Sequence, residues 1–129
     1  MKIMICEQDD MRAKVIEGLL NVYHLKLMSL TRSSEFFRKV QSFKPSVIIM
    51  NEKFSQQNSG EYLDRLRSDP STTNIPVIFI SDRKEDLQQL RSRFSQDFHI
   101  AMMQEPYKIK HLRHYIDRWT TFRSLYVRQ

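Results

Sequence analysis

Residues 45–51 read Pro-Ser-Val-Ile-Ile-Met-Asn, a run of four apolar residues that ends on a polar side chain. A short, continuous apolar run with β-branched residues is typical of a strand covered on both faces, as at the centre of a parallel sheet. In open parallel sheets the functional groups lie just past the carboxyl ends of the strands. The sequence therefore places Asn51 at a functional position.

Apolar runs and helical stripes alternate along the rest of the chain. Further strands are predicted at Lys2–Cys6, Leu25–Leu30, Ile75–Ile80 and His99–Met103. Helices are predicted between and after them, at Met11–Tyr23, around Phe36–Val40, at Gly60–Arg67, at Glu85–Phe94 and from Lys108 onward. Alternation of this kind, with short connections, favours a doubly wound α/β fold with helices on both faces of a five-stranded parallel sheet. We expect one domain spanning residues 1–129.

Two of these segments carry more detailed expectations. The first helix has an apolar stripe that we expect to face the core: Met11, Val15, Ile16, Leu19, Leu20 and Tyr23. An Asp of the preceding Glu7–Asp10 stretch is expected to cap this helix. The segment from Asn51 to Ser59 is predicted to be a polar loop.

Composition narrows the function classes. Hydrophobic residues make up 40% of the chain and charged residues 28%, which is ordinary for a globular domain. No apolar run approaches the roughly 20 residues needed to span a bilayer, and the N-terminus lacks a signal-peptide pattern. The lone Cys6 excludes an internal disulfide and suits a reducing cytoplasm, which we take as the expected location.

The sequence contains no pattern typical of a metal site or a nucleotide-binding site. The four histidines, His24, His99, His111 and His114, show no metal-ligand spacing. With only two glycines, the chain has no loop of the kind that binds nucleotide phosphates. The net charge of +6 permits contact with nucleic acid or with acidic protein surfaces but selects neither.

Four short segments lie in predicted strands or directly after them, in a recognisable order. They are Glu7-Gln-Asp-Asp10, Val47–Asn51, Ile75–Ser81 and Glu105-Pro106. In this order and spacing they resemble the receiver domain of bacterial two-component response regulators over nearly the whole chain. The resemblance implies a CheY-like, flavodoxin-like three-layer fold with strand order 2-1-3-4-5. It also implies a cis peptide bond before Pro106.

The resemblance further implies a phosphorylation site, from which this sequence departs. Such domains use an Asp at the end of the third strand to accept a phosphoryl group from a histidine kinase, and Asn51 stands there. Two acids after the first strand hold magnesium in the family; here Glu7 is kept and Gln8 replaces the other. A Lys before the proline neutralises the phosphoryl charge in the family, and here it is Glu105. Ser81 alone matches the family pattern.

A further departure concerns the aromatic residue that such domains usually carry three positions before that Lys, where this chain has Met102. Together the substitutions indicate a degenerate pseudo-receiver without a magnesium cofactor or enzymatic activity. Glu7, Asp9 and Glu105 are expected to converge, with Lys53 and Arg83 as nearby cations and with one carboxyl pKa raised.

The Asn51 amide then allows two interpretations, which the sequence leaves open. Either the amide satisfies a polar cavity through hydrogen bonds, or it acts with a Lys53–Glu105 ion pair to lock one switch state.

Basic residues accumulate in the last two predicted helices, with aromatic residues between them. The cations are Arg91, Arg93, Lys108, Lys110, Arg113, Arg118, Arg123 and Arg128, and the aromatics are Tyr107, Tyr115, Trp119, Phe122 and Tyr126. Arg and Tyr are enriched in interfaces, and the family commonly uses this face, so we expect it to be the working surface. Helical spacing makes Trp119 a core residue rather than a contact.

These features give three functional hypotheses. The first is a single-domain, atypical response regulator that acts by binding a protein, such as a histidine kinase, an effector or a second copy of itself. The second is nucleic-acid binding through the basic final helices, with steep salt dependence. The third is phosphotransfer at another acceptor, such as Ser81 or Asp9.

Overall fold

The computed structural model describes residues 1–21 and 24–119, which form five strands, five α-helices and one short 3₁₀ helix. The strands are β1 (Lys2–Cys6), β2 (Lys26–Leu30), β3 (Val47–Asn51), β4 (Val77–Ser81) and β5 (Ile100–Gln104). The helices are α1 (Asp10–Leu20), α2 (Phe36–Phe43), α3 (Ser59–Ser68), α4 (Lys84–Arg93) and α5 (Ile109–Arg118), with the 3₁₀ helix at Ser33–Glu35.

All strand pairs are parallel, in the order β2-β1-β3-β4-β5, which confirms the predicted topology. Every residue of β3 is buried, as expected for the central strand. In the register, Asn51 lies beside Ile80, and Ser81 lies beside Gln104. The carboxyl ends of β1, β3, β4 and β5 therefore meet at one edge, which carries the candidate site.

Helices cover both faces of the sheet. One apolar core lies between the sheet and helices α1 and α5, where Ile16, Leu20, Leu112 and Ile116 pack. The other lies under α2, α3 and α4 and contains Phe36, Val40, Leu63, Leu66, Leu87 and Leu90. Each amphipathic helix thereby buries one apolar stripe against the sheet.

Helix α1 corrects the predicted apolar stripe. Met11 is 71% exposed and Val15 58% exposed, whereas the helix buries Ala13, Ile16 and Leu20. Ala13, Ile16 and Leu20 lie on one side of the helix and form its inward face. This face is rotated about the helix axis relative to the predicted stripe, so Met11 and Val15 point to solvent. The helix begins as predicted, because the Asp9 carboxylate accepts hydrogen bonds from the backbone of Met11 and Arg12.

Some sequence predictions concern residues outside those that the structure describes: Tyr23, Phe122, Arg123, Tyr126, Arg128 and the segment Leu125–Gln129. Within residues 1–21 and 24–119, none of the helices has the length and apolar character required to cross a bilayer.

Candidate functional site

The side chain of Asn51 makes two hydrogen bonds at the carboxyl edge of the sheet. Its Nδ2 donates to Glu7 Oε1 at 2.8 Å, and its Oδ1 accepts from the backbone N–H of Lys53 at 2.9 Å. Asn51 is 3% exposed and Glu7 2% exposed. This geometry matches the first of the two interpretations, in which the amide satisfies a buried polar cavity.

Glu7 is a buried acid at the carboxyl end of β1. Burial raises the pKa of its carboxyl group, while hydrogen bonds from the Asp9 backbone and from Asn51, together with the charge of Arg12, lower it; the charge of Glu105 raises it. The upward shift agrees with the expectation that one carboxyl of this cluster has a raised pKa. Burial therefore opposes the charged form of Glu7, and the hydrogen bonds to its two oxygens offset part of that effect.

Arg12 reaches from the first turn of α1 to the loop after β5. Its Nη1 lies 3.1 Å from Glu105 Oε1, whereas the Nζ of Lys53 lies 3.0 Å from Asp82 Oδ2. The predicted Lys53–Glu105 ion pair is therefore wrong, because each of the two groups has a different partner. Neither Arg12 nor Asp82 was predicted from the sequence, because each pairs with a residue far away along the chain.

Ser81 is the last residue of β4 and is 3% exposed. Its Oγ accepts a hydrogen bond from the backbone N–H of Arg83 at 3.0 Å. The Arg83 side chain pairs with Asp86 at 3.7 Å, so its guanidinium has a partner on α4. The structure thus brings Ser81 to the same edge as Asn51.

Two residues expected at this edge have other roles. Asp9 caps α1 through its Oδ1, and Gln8 is exposed. Asp9 therefore does not converge with Glu7 and Glu105 as a free carboxylate.

The donor set also argues against a magnesium ion at this edge. Glu7 Oε1 accepts from Asn51, and its Oε2 accepts from the Asp9 backbone at 2.9 Å. Among residues 1–21 and 24–119 there is no group of three or more His, Cys, Asp or Glu side chains placed to bind a metal. A cation at this edge would have to compete with the hydrogen bonds that both oxygens of Glu7 already accept.

The sequence analysis also missed Glu52. It follows Asn51 directly, is 5% exposed, and its Oε2 has no hydrogen-bond partner among the described residues. Ser55 and Phe54 of the same segment are buried too, so the predicted polar loop contributes to the interior. A charged residue in a loop gives no sequence signal of burial, because exposure is its ordinary state.

The loop after β5 has the predicted backbone form, with a cis peptide bond between Glu105 and Pro106. Met102, at the position of the missing aromatic, is half-buried and packs against the core beneath α2, α3 and α4. These residues lead into the expected working surface.

The β5–α5 part of that surface contains exposed cations and a groove. The groove has a volume of about 420 Å³ and is lined by Met102, Tyr107, Lys108, His111, His114 and Tyr115, among others. Lys110 and Arg113 are exposed on α5. Trp119, expected in the core, is half-buried and stacks on Tyr115 with ring centroids 5.8 Å apart.

The two α4 cations that were predicted for this surface, Arg91 and Arg93, lie on different sides of that helix. Arg91 Nη2 donates to the backbone carbonyl of Ile100 at 3.2 Å, which places it beside β5. Arg93 instead pairs with Asp64 and Glu61 of α3. Arg93 therefore lies away from the β5–α5 surface on which it was predicted.

Comparison with known proteins identifies the fold. No protein-family model matches the chain. Protein RcaC of Microchaete diplosiphon is 29% identical over 80 residues, which is 62% of this chain but only 12% of RcaC. A response regulator receiver domain from Bermanella marisrubri is 16% identical, with a TM-score of 0.78 over 93% of this chain and 98% of the other.

The receiver domain of the Pseudomonas aeruginosa sensor histidine kinase PA1611 is 18% identical, with a TM-score of 0.73 over 92% of this chain and 95% of that domain. That structure contains a magnesium ion in its active-site cleft. At these identities the likeness to solved structures concerns the fold. The chain therefore has the flavodoxin-like α/β fold of CheY-like response regulator receiver domains.

Proposed function

We propose that the chain is an atypical receiver module of bacterial two-component signalling, that it is not phosphorylated at the usual position, and that it acts by binding a protein in the cytoplasm. The observation that carries the proposal is the buried Asn51 amide at the end of β3, bonded to Glu7 and to the Lys53 backbone. The structural neighbours support a signalling role, since one is the receiver domain of a sensor histidine kinase.

The chemistry of Asn51 argues against acyl-phosphate formation. A carboxylate oxygen attacks phosphorus as an anion, whereas an amide oxygen is neutral and a poor nucleophile. The amide nitrogen is a hydrogen-bond donor and is already bonded to Glu7. In this proposal the chain has no enzymatic activity and Asn51 is a structural residue.

The charges around Asn51 support the same proposal. Glu105 stands where the family has a Lys, so an incoming phosphoryl group would meet a carboxylate there instead of a cation, and the Arg12 guanidinium at 3.1 Å compensates only part of that carboxylate's charge. Because both oxygens of Glu7 accept hydrogen bonds, we also propose that magnesium binding has been lost.

The first test is incubation with acetyl phosphate and magnesium, followed by intact-mass measurement. We expect no stable phosphorylated form of the native chain. Asn51→Asp alone is expected to remain unmodified because Glu105 still repels the phosphoryl group, and Asn51→Asp with Glu105→Lys is expected to gain one phosphoryl group.

A gain in the native chain that disappears in Asn51→Ala would contradict the proposal. A gain that disappears in Ser81→Ala or Asp9→Ala would instead favour phosphotransfer at another acceptor. Ser81 Oγ and Asp9 Oδ1 both accept hydrogen bonds from the backbone, so neither oxygen lies free at this edge.

A further inference from the structure

The β3–α3 loop, residues 52–58, contains a carboxyl group in an environment that opposes its charge. Glu52 is 5% exposed, and its Oε2 has no hydrogen-bond partner among the described residues. The Ser59 hydroxyl near this carboxyl group shares a 2.6 Å hydrogen bond with the Ser55 hydroxyl. An ionised carboxylate with an unsatisfied oxygen is strongly disfavoured in such a place.

The charged groups that face Glu52 make its ionisation still less favourable. They are Glu61 on α3 and Asp86 on α4, both negative. The neighbouring cations have partners of their own, because Arg83 pairs with Asp86 and Arg93 pairs with Glu61. Burial raises the pKa of Glu52, the Ser59 hydrogen bond lowers it, and the charges of Asp86 and Glu61 raise it again.

The backbone of the same loop is strained. Gln56 has φ 55° and Gln57 has φ 67°, two successive non-glycine residues in the left-handed region. Their side chains are exposed, so packing does not compensate for the strain. The loop retains this form through short-range bonds, such as Gln56 N–H to the Lys53 carbonyl at 3.1 Å and Gln57 N–H to the Glu52 carbonyl at 3.3 Å.

We propose that the β3–α3 loop is a proton-sensitive element: the described conformation contains Glu52 as a neutral acid, and loss of its proton to solvent opens the loop and exposes the carboxylate to water. Opening would also release Gln56 and Gln57 from the left-handed region. The proposal does not depend on the proposed function, since it involves no phosphoryl chemistry. It adds an input next to Asn51 that requires no phosphorylation.

The first experiment uses the unaltered chain with ¹³C-labelled glutamate carboxyl groups, titrated by NMR. Glu85 on α4 is exposed and serves as the control site for substitution. We expect the titration midpoint of Glu52 to lie above the ordinary value of a glutamate side chain. A midpoint at or below that ordinary value would overturn the proposal, whatever any variant does.

The second experiment measures hydrogen exchange of the amides of Gln56, Gln57 and Asn58, corrected for the intrinsic effect of pH. Between the ordinary pKa of an exposed glutamate and the raised folded-state pKa of Glu52, the open fraction of the loop is expected to rise by up to about tenfold per pH unit, and above the folded-state pKa it should level off. Glu52→Gln removes the ionisable group and should abolish this rise, whereas the matched control Glu85→Gln should retain it. An equal rise in Glu52→Gln, or no rise in the unaltered chain, would overturn the proposal.

Discussion

The amide of Asn51 donates to the buried carboxyl group of Glu7 and accepts from the partly buried backbone N–H of Lys53, so its removal leaves both without this partner. Asn51→Ala would leave Glu7 Oε1 and the Lys53 N–H unsatisfied. We expect this variant to lose about 1–3 kcal/mol of unfolding free energy, the usual range for unpaired buried polar groups. Urea denaturation at neutral pH measures the loss.

Ser46→Ala is the matched control, because its Oγ accepts only a long 3.5 Å hydrogen bond from the Lys2 backbone. We expect a loss below about 1 kcal/mol for that change. Equal losses of unfolding free energy in the two variants would show that the Asn51 hydrogen bonds stabilise the fold no more than the long Ser46 bond does.

Arg12 is the residue-scale finding with the clearest electrostatic consequence. Its positive charge lowers the pKa of Glu7. In Arg12→Gln the pKa of Glu7 should therefore rise further above its ordinary value. Carboxyl ¹³C NMR detects the change, and Lys14→Gln on the same helix, where Lys14 pairs with Asp10 at 3.4 Å, is the control.

The sign of the accompanying stability effect follows from linkage. A raised folded-state pKa means that Glu7 contributes stability fully below its unfolded pKa and loses that contribution as pH rises through the folded pKa. In Arg12→Gln this loss should therefore be completed at a higher pH than in the native chain. An unchanged Glu7 titration in Arg12→Gln would show that Arg12 has no electrostatic effect on this carboxyl group.

At the scale of elements, the sequence predicted what depends on local pattern. The apolar run at Val47–Asn51 predicted a buried central strand because burial on both faces requires such a run. The inward face of α1 was misassigned because small Ala13 carries a weak hydrophobic signal beside Met11 and Val15. The Arg12–Glu105 pair joins residues far apart in the sequence, so only the folded geometry identifies it.

Arg67 of α3 bonds to the two connecting segments that precede β4 and β5. Its Nε lies 2.7 Å from Asp97 Oδ2, its Nη1 donates to the Ile75 carbonyl at 2.8 Å, and its Nη2 donates to the His99 carbonyl at 3.3 Å. We expect Arg67→Ala to cost about 2 kcal/mol or more, because the change leaves a partly buried carboxylate without its partner. Arg67→Lys should recover only part of this, since Lys lacks the planar fork.

The pH dependence of that effect has the opposite sign to the one expected for Glu7. Burial raises the pKa of Asp97, but hydrogen bonds from Arg67 and the His99 backbone outweigh it and place the pKa below its ordinary value. The contribution is therefore present above the unfolded pKa and lost as pH falls through the folded pKa. Urea denaturation at several acid pH values gives the difference in unfolding free energy between the native chain and Arg67→Ala. If this difference stays constant as pH falls through the folded pKa of Asp97, the lost interaction with Asp97 is not the cause of the destabilisation.

For binding by the whole molecule, we expect the distribution of charge to matter more than the net charge. The outer strands of the sheet are β2 on one side and β5 on the other, separated by the full width of the sheet. The β5 edge carries Lys108, Lys110 and Arg113 beside a groove with aromatic walls. In the proposed function the chain presents this surface constantly, and Arg and Tyr there would supply contact area together with hydrogen bonds.

The last prediction tests this surface by charge reversal. Lys110→Glu with Arg113→Glu should reduce binding of a protein partner at least tenfold, measured by quantitative affinity purification from the native cell. The melting temperature should change little, because both side chains are exposed. Lys26→Glu with Lys39→Glu, on β2 and α2 at the opposite edge, makes the same change in net charge and should leave binding intact. Equal effects of the two pairs would indicate a response to net charge alone. If the partner is a nucleic acid, binding should weaken steeply with salt, and the salt slope should fall by about one for each lost phosphate contact.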